Sequence, residues 1–199
     1  ETRKNVSAYL QIFKRVGKVK GFSPCSYKGL HDKNSFCLRG NSNATELSIY
    51  DLEQVLAETD KRLSTYKNIP SAHKRAEGIL RVDIRLEKPK AIRTYVDEAY
   101  TSDQMVVLLE DCEHIFIDTF THVIPYGDFY KKDKAEEIVR AAVKNQTMRR
   151  KMLRLLELVP EKKPLYLAQK EMNCRNMKKI MKGFAEINLS PVTISKRHD

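Results

Sequence analysis

No apolar run in the sequence approaches the ~18 residues that a membrane helix needs, which excludes a chain built around a spanning helix. The opening residues, Glu1-Thr-Arg-Lys-Asn5, have no apolar segment behind them, so a signal peptide is not expected. An initiator Met is also absent, and we expect an upstream part to be missing. Cysteines are few. Cys25, Cys37, Cys112 and Cys174 are far apart and form no CxxC pair, which reads as reduced thiols in a cytoplasmic protein rather than a disulfide framework or a zinc site. No His-hydrophobic-His pair exists either: His31, His73, His114, His122 and His198 are isolated. There is no internal repeat and no low-complexity tract.

What the chain does have is charge. Its 199 residues are 41% hydrophobic and 32% charged, with a formal charge of +11 and a pI near 9.4. That length can bury a core. The positive balance points to a polyanionic partner, nucleic acid first and an anionic membrane surface second.

The clearest pattern lies at Gly78-Ile-Leu-Arg-Val-Asp-Ile-Arg-Leu-Glu87. Leu80, Val82, Ile84 and Leu86 alternate with Arg81, Asp83, Arg85 and Glu87, the period of a strand with one buried and one wet face. Such a row of charges suits a solvated face with cross-strand ion pairs. It also suits holding a phosphodiester and a metal ion. Pro89 is expected to end this strand, which we take as the central one.

Upstream, Tyr9, Leu10, Ile12 and Phe13 suggest a short helix, and Gly17, Gly21, Pro24 and Gly29 break regular structure. Ser35–Arg39 and Glu46–Tyr50 read as strands, with Phe36, Leu38, Leu47 and Ile49 inward and Glu46, Ser48 and Tyr50 on the polar side. Asp51 is a plausible cap for a helix from Leu52 to about Leu63, and a charged connector through His73-Lys74-Arg75 follows it. From Ala91 onward helical stripes take over. One long helix is expected from a Ser102 cap through Phe120, broken by Pro125 and Gly127. Further helices carry Ile138, Val139 and Ala142, then Met148 through Val159 with a stop at Pro160. Leu165–Met172 and Arg175–Ile187 follow, with a terminal strand over 191–195. The fold class is therefore α+β, with an antiparallel sheet followed by a mainly helical C-terminal half. The expected domains are residues 1–95 and 96–199.

Tyr50 is the first candidate for chemistry. If its strand neighbours the alternating one with both apolar faces on the same core, Tyr50 shares a face with Arg81, Asp83 and Arg85. A tyrosine hydroxyl, with a pKa near ~10, is a poor nucleophile unless a polarised phosphate and nearby cations assist it. That constellation would fit transesterification on DNA; the plain alternative is a strand-end tyrosine that only packs. Tyr126 and Tyr130, followed by Lys131, Lys132 and Lys134, mimic a two-tyrosine arrangement, but Pro125-Tyr-Gly127 reads as a turn anchored by aromatics. His114 and His122, near Asp111, Glu113 and Asp118, lack the spacing of a zinc helix. Arg175, Lys178, Lys179 and Lys182 lie on the second helix of a pair that looks like a helix-turn-helix without the usual turn glycine. A plain basic amphipathic hairpin explains the same pattern.

Three segments, LSIYDLEQ (47–54), EGILRVDIRLEKPKAIRTY (77–95) and KKPLYLAQKEMNCRNMKKIMKGFAEINLSPVTISKRHD (162–199), resemble the rolling-circle replication initiators of filamentous phages and related plasmid elements. The ordered set, running over roughly 10–199, carries the resemblance. It implies a relaxase-type sheet and a nicking and closing enzyme with Tyr50 as nucleophile. It further implies Asp83 as a metal or structural carboxylate, Arg81 and Arg85 on DNA phosphates, and a divalent metal, Mg²⁺ or Mn²⁺. The partner would be DNA at a replication origin, with a host helicase as a further candidate. The chain departs from that pattern at Leu52, where members often carry Lys. It departs again in lacking the His pair, so the metal ligands either lie upstream of Glu1 or are carboxylates. A non-enzymatic DNA-binding regulator built on the helical hairpin, and a basic RNA-binding domain, are the other classes the composition allows.

Overall fold

A computed structural model describes residues 2–26, 35–42, 44–62, 75–97, 100–162 and 164–194. The expectations at Gly29, Leu63, His31, His73, Lys74, His198 and Ser195 lie outside these residues. Two compact units emerge, one of residues 1–11 with 20–120 and one of 12–19 with 121–199. Mixed α/β architecture, with a four-stranded antiparallel sheet and a mostly helical C-terminal half, agrees with the fold class read from the sequence.

In the first unit the sheet runs in the order β1 (Phe22–Pro24), β2 (Ser35–Gly40), β3 (Thr45–Asp51), β4 (Leu80–Leu86). Helix α1 (Thr2–Lys14) precedes it, and its Val6 and Leu10 are buried. β1 falls where glycines and Pro24 suggested only broken structure. It is an edge strand, where a residue that cannot donate to the ladder is tolerated. The alternating stretch does form a strand, but β4 is not central: it pairs only with β3 among the described strands. β2 and β3 are the interior strands, and Leu47 and Ile49 of β3 have no exposed surface.

Asp51 caps α2 (Leu52–Arg62) as expected, accepting hydrogen bonds from the backbone N–H groups of Glu53 (3.1 Å) and Gln54 (3.4 Å). Pro89 begins the one-turn helix α3 (Pro89–Ile92), a position where its missing N–H costs nothing. The long helix expected from Ser102 to Phe120 is instead two, α4 (Thr101–Glu110) and α5 (Cys112–Val123), and Tyr100 rather than Ser102 is the N-cap. The break comes at Asp111-Cys112, two poor helix formers in succession, without any glycine or proline.

Cys25 and Cys37 form a disulfide, which overturns the expectation of reduced thiols there; Cys112 and Cys174 are free. Cys25, one residue past β1, faces Cys37 of β2, with the Cys25 N–H donating to the Cys37 carbonyl (3.0 Å) and Cα atoms 5.2 Å apart. Sequence spacing could not reveal this, because the register and not the separation of 12 residues brings them together.

The second unit is built on α7 (Gln146–Lys162), whose Met152, Leu155, Leu156 and Val159 are fully buried. Packed on it are α6 (Lys132–Ala142), α8 (Leu165–Met172) and α9 (Met177–Glu186). Pro160 does not stop α7. It sits in the last turn, where one lost donor removes one bond and not the helix. Among its described residues, the stretch expected as a terminal strand forms only an isolated bridge, Lys131 with Ile194. No helix of the described residues is long and apolar enough to cross a membrane.

Candidate functional site

β3 and β4 pair antiparallel with Tyr50 opposite Arg81, Ser48 opposite Asp83 and Glu46 opposite Arg85. The neighbouring relation on which the Tyr50 reading depended is therefore present. Residues of one parity on β2, β3 and β4 (Cys37, Arg39; Glu46, Ser48, Tyr50; Arg81, Asp83, Arg85) share a face of the sheet.

That face is not uniformly wet. Glu46, Ser48 and Tyr50 are buried, Tyr50 to 2% exposure, with Leu52 and Val55 packed on its ring. Alternation in sequence gave these three residues the polar side of a half-exposed strand; an interior strand covered on both faces buries them instead. The Tyr50 hydroxyl donates to Asp83 Oδ2 at 2.5 Å. Arg81 Nε donates to Asp83 Oδ1 at 2.8 Å, and its guanidinium carbon stands 6.0 Å from the Tyr50 ring centroid. Exposure rises outward along this chain of contacts, from Tyr50 to the Asp83 side chain (18%) to Arg81 (54%).

Arg85 belongs to a second group two residues along. Glu46, with its side chain 3% exposed, accepts from Arg39 (2.6 Å), Arg85 (3.5 Å) and Ser48 (3.0 Å). A polar side chain this buried costs stability unless such partners satisfy it. The hydrogen bond to Glu46, then the charge of that carboxylate, raise the Arg39 guanidinium above its ordinary pKa.

Among the described residues no cluster of three metal-ligating side chains includes Asp83. Both oxygens of Asp83 already accept hydrogen bonds, one from a guanidinium. Among the described residues the one cluster of three metal-ligating residues is Cys25, Cys37 and Glu46, two of which are joined as a disulfide. Mg²⁺ requires a near-octahedral set of oxygens, which this face does not assemble. His114 and His122 are both exposed and join no such cluster, and Tyr126 is 63% exposed in its turn.

The basic residues of the C-terminal unit come together differently. Lys178, Lys179 and Lys182 of α9 line a groove of about 850 Å³ with Lys144 and Lys151. Lys144 precedes α7 and Lys151 lies within it, so spacing along one helix could not have added them. The N-terminal ends of both helices reach the groove through Asn145 and Asn176, and Asn145 Oδ1 accepts from the Met148 N–H at 2.9 Å. Five ammonium groups against the single carboxylate of Glu186 in the lining favour an anion. Arg175 is exposed but lies outside the lining. The turn between α8 and α9 lacks glycine because Asn173 takes the left-handed conformation (φ 43°).

The chain matches no family model, no curated protein and no solved structure.

Proposed function

We propose that this chain is a DNA-processing protein of the rolling-circle initiator type, with Tyr50 as the strand-transferring nucleophile and a sheet of the relaxase kind beneath it. The observation that carries the reading is the hydrogen bond from Tyr50 to Asp83, with Arg81 beside both, on the two strands that resemble the family. Asp83 stands where it can take the phenolic proton as Oη attacks phosphorus. The bond to the 3′ oxygen then breaks, that oxygen leaves as a hydroxyl after gaining a proton, and the 5′ phosphate stays on the tyrosine. Arg81, the outermost of the three, would face the charge growing on the phosphate. Because Tyr50 is nearly covered, attack requires the side chains over it to move aside. The same reading places the protein in the cytoplasm on origin DNA, with a host helicase as a further partner.

A supercoiled plasmid bearing the replicon's origin, with Mg²⁺ or Mn²⁺, tests this. The expected product is relaxed DNA with protein attached to a 5′ end, lost in Tyr50→Phe. An adduct that persists in Tyr50→Phe assigns the nucleophile elsewhere.

The 2% exposure of Tyr50 and the lysine groove favour a second reading, a DNA-binding regulator without chemistry. In it the Tyr50–Asp83 bond only ties β3 to β4. Retained DNA binding with no cleavage by the unmodified protein in either metal would select this reading.

A further inference from the structure

Between Arg93 and Lys131 the sequence has eight Asp or Glu and no Lys or Arg, although the whole chain carries +11. This stretch contains α4 and α5. Of the nine large hydrophobic side chains exposed among the described residues, six lie on these two helices or at the Tyr100 N-cap of the first. They are Tyr100 (73%), Met105 (60%), Val106 (53%), Leu109 (69%), Phe116 (39%) and Ile117 (50%). Single exposed apolar residues are ordinary, whereas a concentration of them marks an interaction surface.

α4 makes the case stronger. It has ten residues, none buried, and an N-cap without a side-chain hydrogen bond. An isolated helix shorter than ~12–15 residues is marginal in water, and protein helices are held mainly by burying one face. Helical geometry puts Met105, Val106 and Leu109 within about 100° of arc. Asp103 and Glu110, seven apart, run along one border of that arc. On α5, Glu113 sits one turn before Phe116 and Ile117. An apolar stripe is thus edged by carboxylates.

We propose that α4 and α5 form a docking surface for a basic amphipathic helix of another protein, its apolar side on Met105, Val106 and Leu109 and its Lys or Arg residues against Asp103 and Glu110. Charge complementarity selects this occupant. A nucleic acid is repelled by the same carboxylates, and a second copy laid antiparallel and face to face would oppose acid to acid. The inference stands whether or not Tyr50 is a nucleophile.

The test uses the full chain with two fluorescein-labelled helical peptides of identical leucine pattern, one flanked by Lys and one by Glu. Anisotropy measures affinity and hydrogen exchange locates the contact. The Lys peptide is expected to bind and to slow exchange over 101–117. Val106→Ser with Leu109→Ser should weaken it tenfold or more, and these positions are exposed, so circular dichroism should be unchanged. Asp103→Asn with Glu110→Gln should flatten the salt dependence of binding. Equal binding of the Glu peptide, no binding of the Lys peptide, or protection outside 101–117 overturns the proposal. So does a dimer of the chain alone whose contact protects 101–117.

Discussion

Gly127 shows how closely one residue can be specified. At its φ of +123°, an added Cβ would lie 2.4 Å from the Leu189 carbonyl carbon and 2.7 Å from the backbone nitrogens of Leu189 and Ser190. Those walls are backbone and are fixed by hydrogen bonds, Asp128 N–H to Asn188 O at 3.0 Å and Ser190 N–H to Asp128 O at 2.9 Å. Gly127→Ala should therefore cost about 3 kcal/mol or more, read as a thermal midpoint lower by about 10 °C. Gly21 provides the control. Its φ is +87° but nothing lies within 4 Å of the added carbon, so Gly21→Ala should cost only about 1–2 kcal/mol of backbone strain. Pro125-Tyr-Gly127 announced a turn in the sequence, yet the reason only glycine fits comes from Leu189, sixty-two positions away, and no local pattern encodes it. Tyr50 teaches the same thing. Its strand, its cap neighbour Asp51 and its shared face with Asp83 were legible, because each depends on local alternation or capping. Its burial was not, since that depends on what packs over an interior strand.

At the scale of elements, the match between sequence and structure follows the source of the signal. α8 spans Leu165–Met172 as its stripe indicates, and α9 differs from its expected span by one or two residues at each end. The interruption at Asp111 and the persistence of α7 past Pro160 had no comparable mark, because each is settled by the energetics of a single turn. The link between β1 and β2 had none at all. Closing so short a loop should stabilise the fold by about 3 kcal/mol, chiefly by restricting the unfolded chain. Cys25→Ser with Cys37→Ser, or treatment with a thiol reductant, should lower the denaturant midpoint and steepen the slope, because the released unfolded chain exposes more surface. Only two thiols should react in the denatured, unreduced protein. Four reactive thiols there would show the pair to be open, the state ordinary for a cytoplasmic protein.

Across the whole molecule the basic balance was the plainest statement in the composition, but the groove that concentrates it was only half visible. Lys178, Lys179 and Lys182 were legible on one helix face; Lys144 and Lys151 join them through the packing of α7 against α9. If these ammonium groups displace counterions from DNA phosphates, each should contribute about one unit to the slope of log affinity against log salt. Lys144→Ala with Lys179→Ala should reduce that slope by about two and weaken all DNA sequences alike. An unchanged slope would remove the groove from the DNA-binding surface. The carboxylate-edged α4 and α5 should not contribute to it.

β4 carries the hazard of a sheet edge. Among the described residues no strand lies along its outer side, so it offers a row of backbone donors and acceptors on which another chain could pair. Leu80, Val82, Ile84 and Leu86 would make such a strand a ready template for aggregation were its other side apolar too. The Arg81, Asp83, Arg85 and Glu87 row prevents this, because a second copy stacked in register would set like charges beside one another. The charges that suggested a phosphodiester floor thus also act as gatekeepers that keep the chain soluble while it folds.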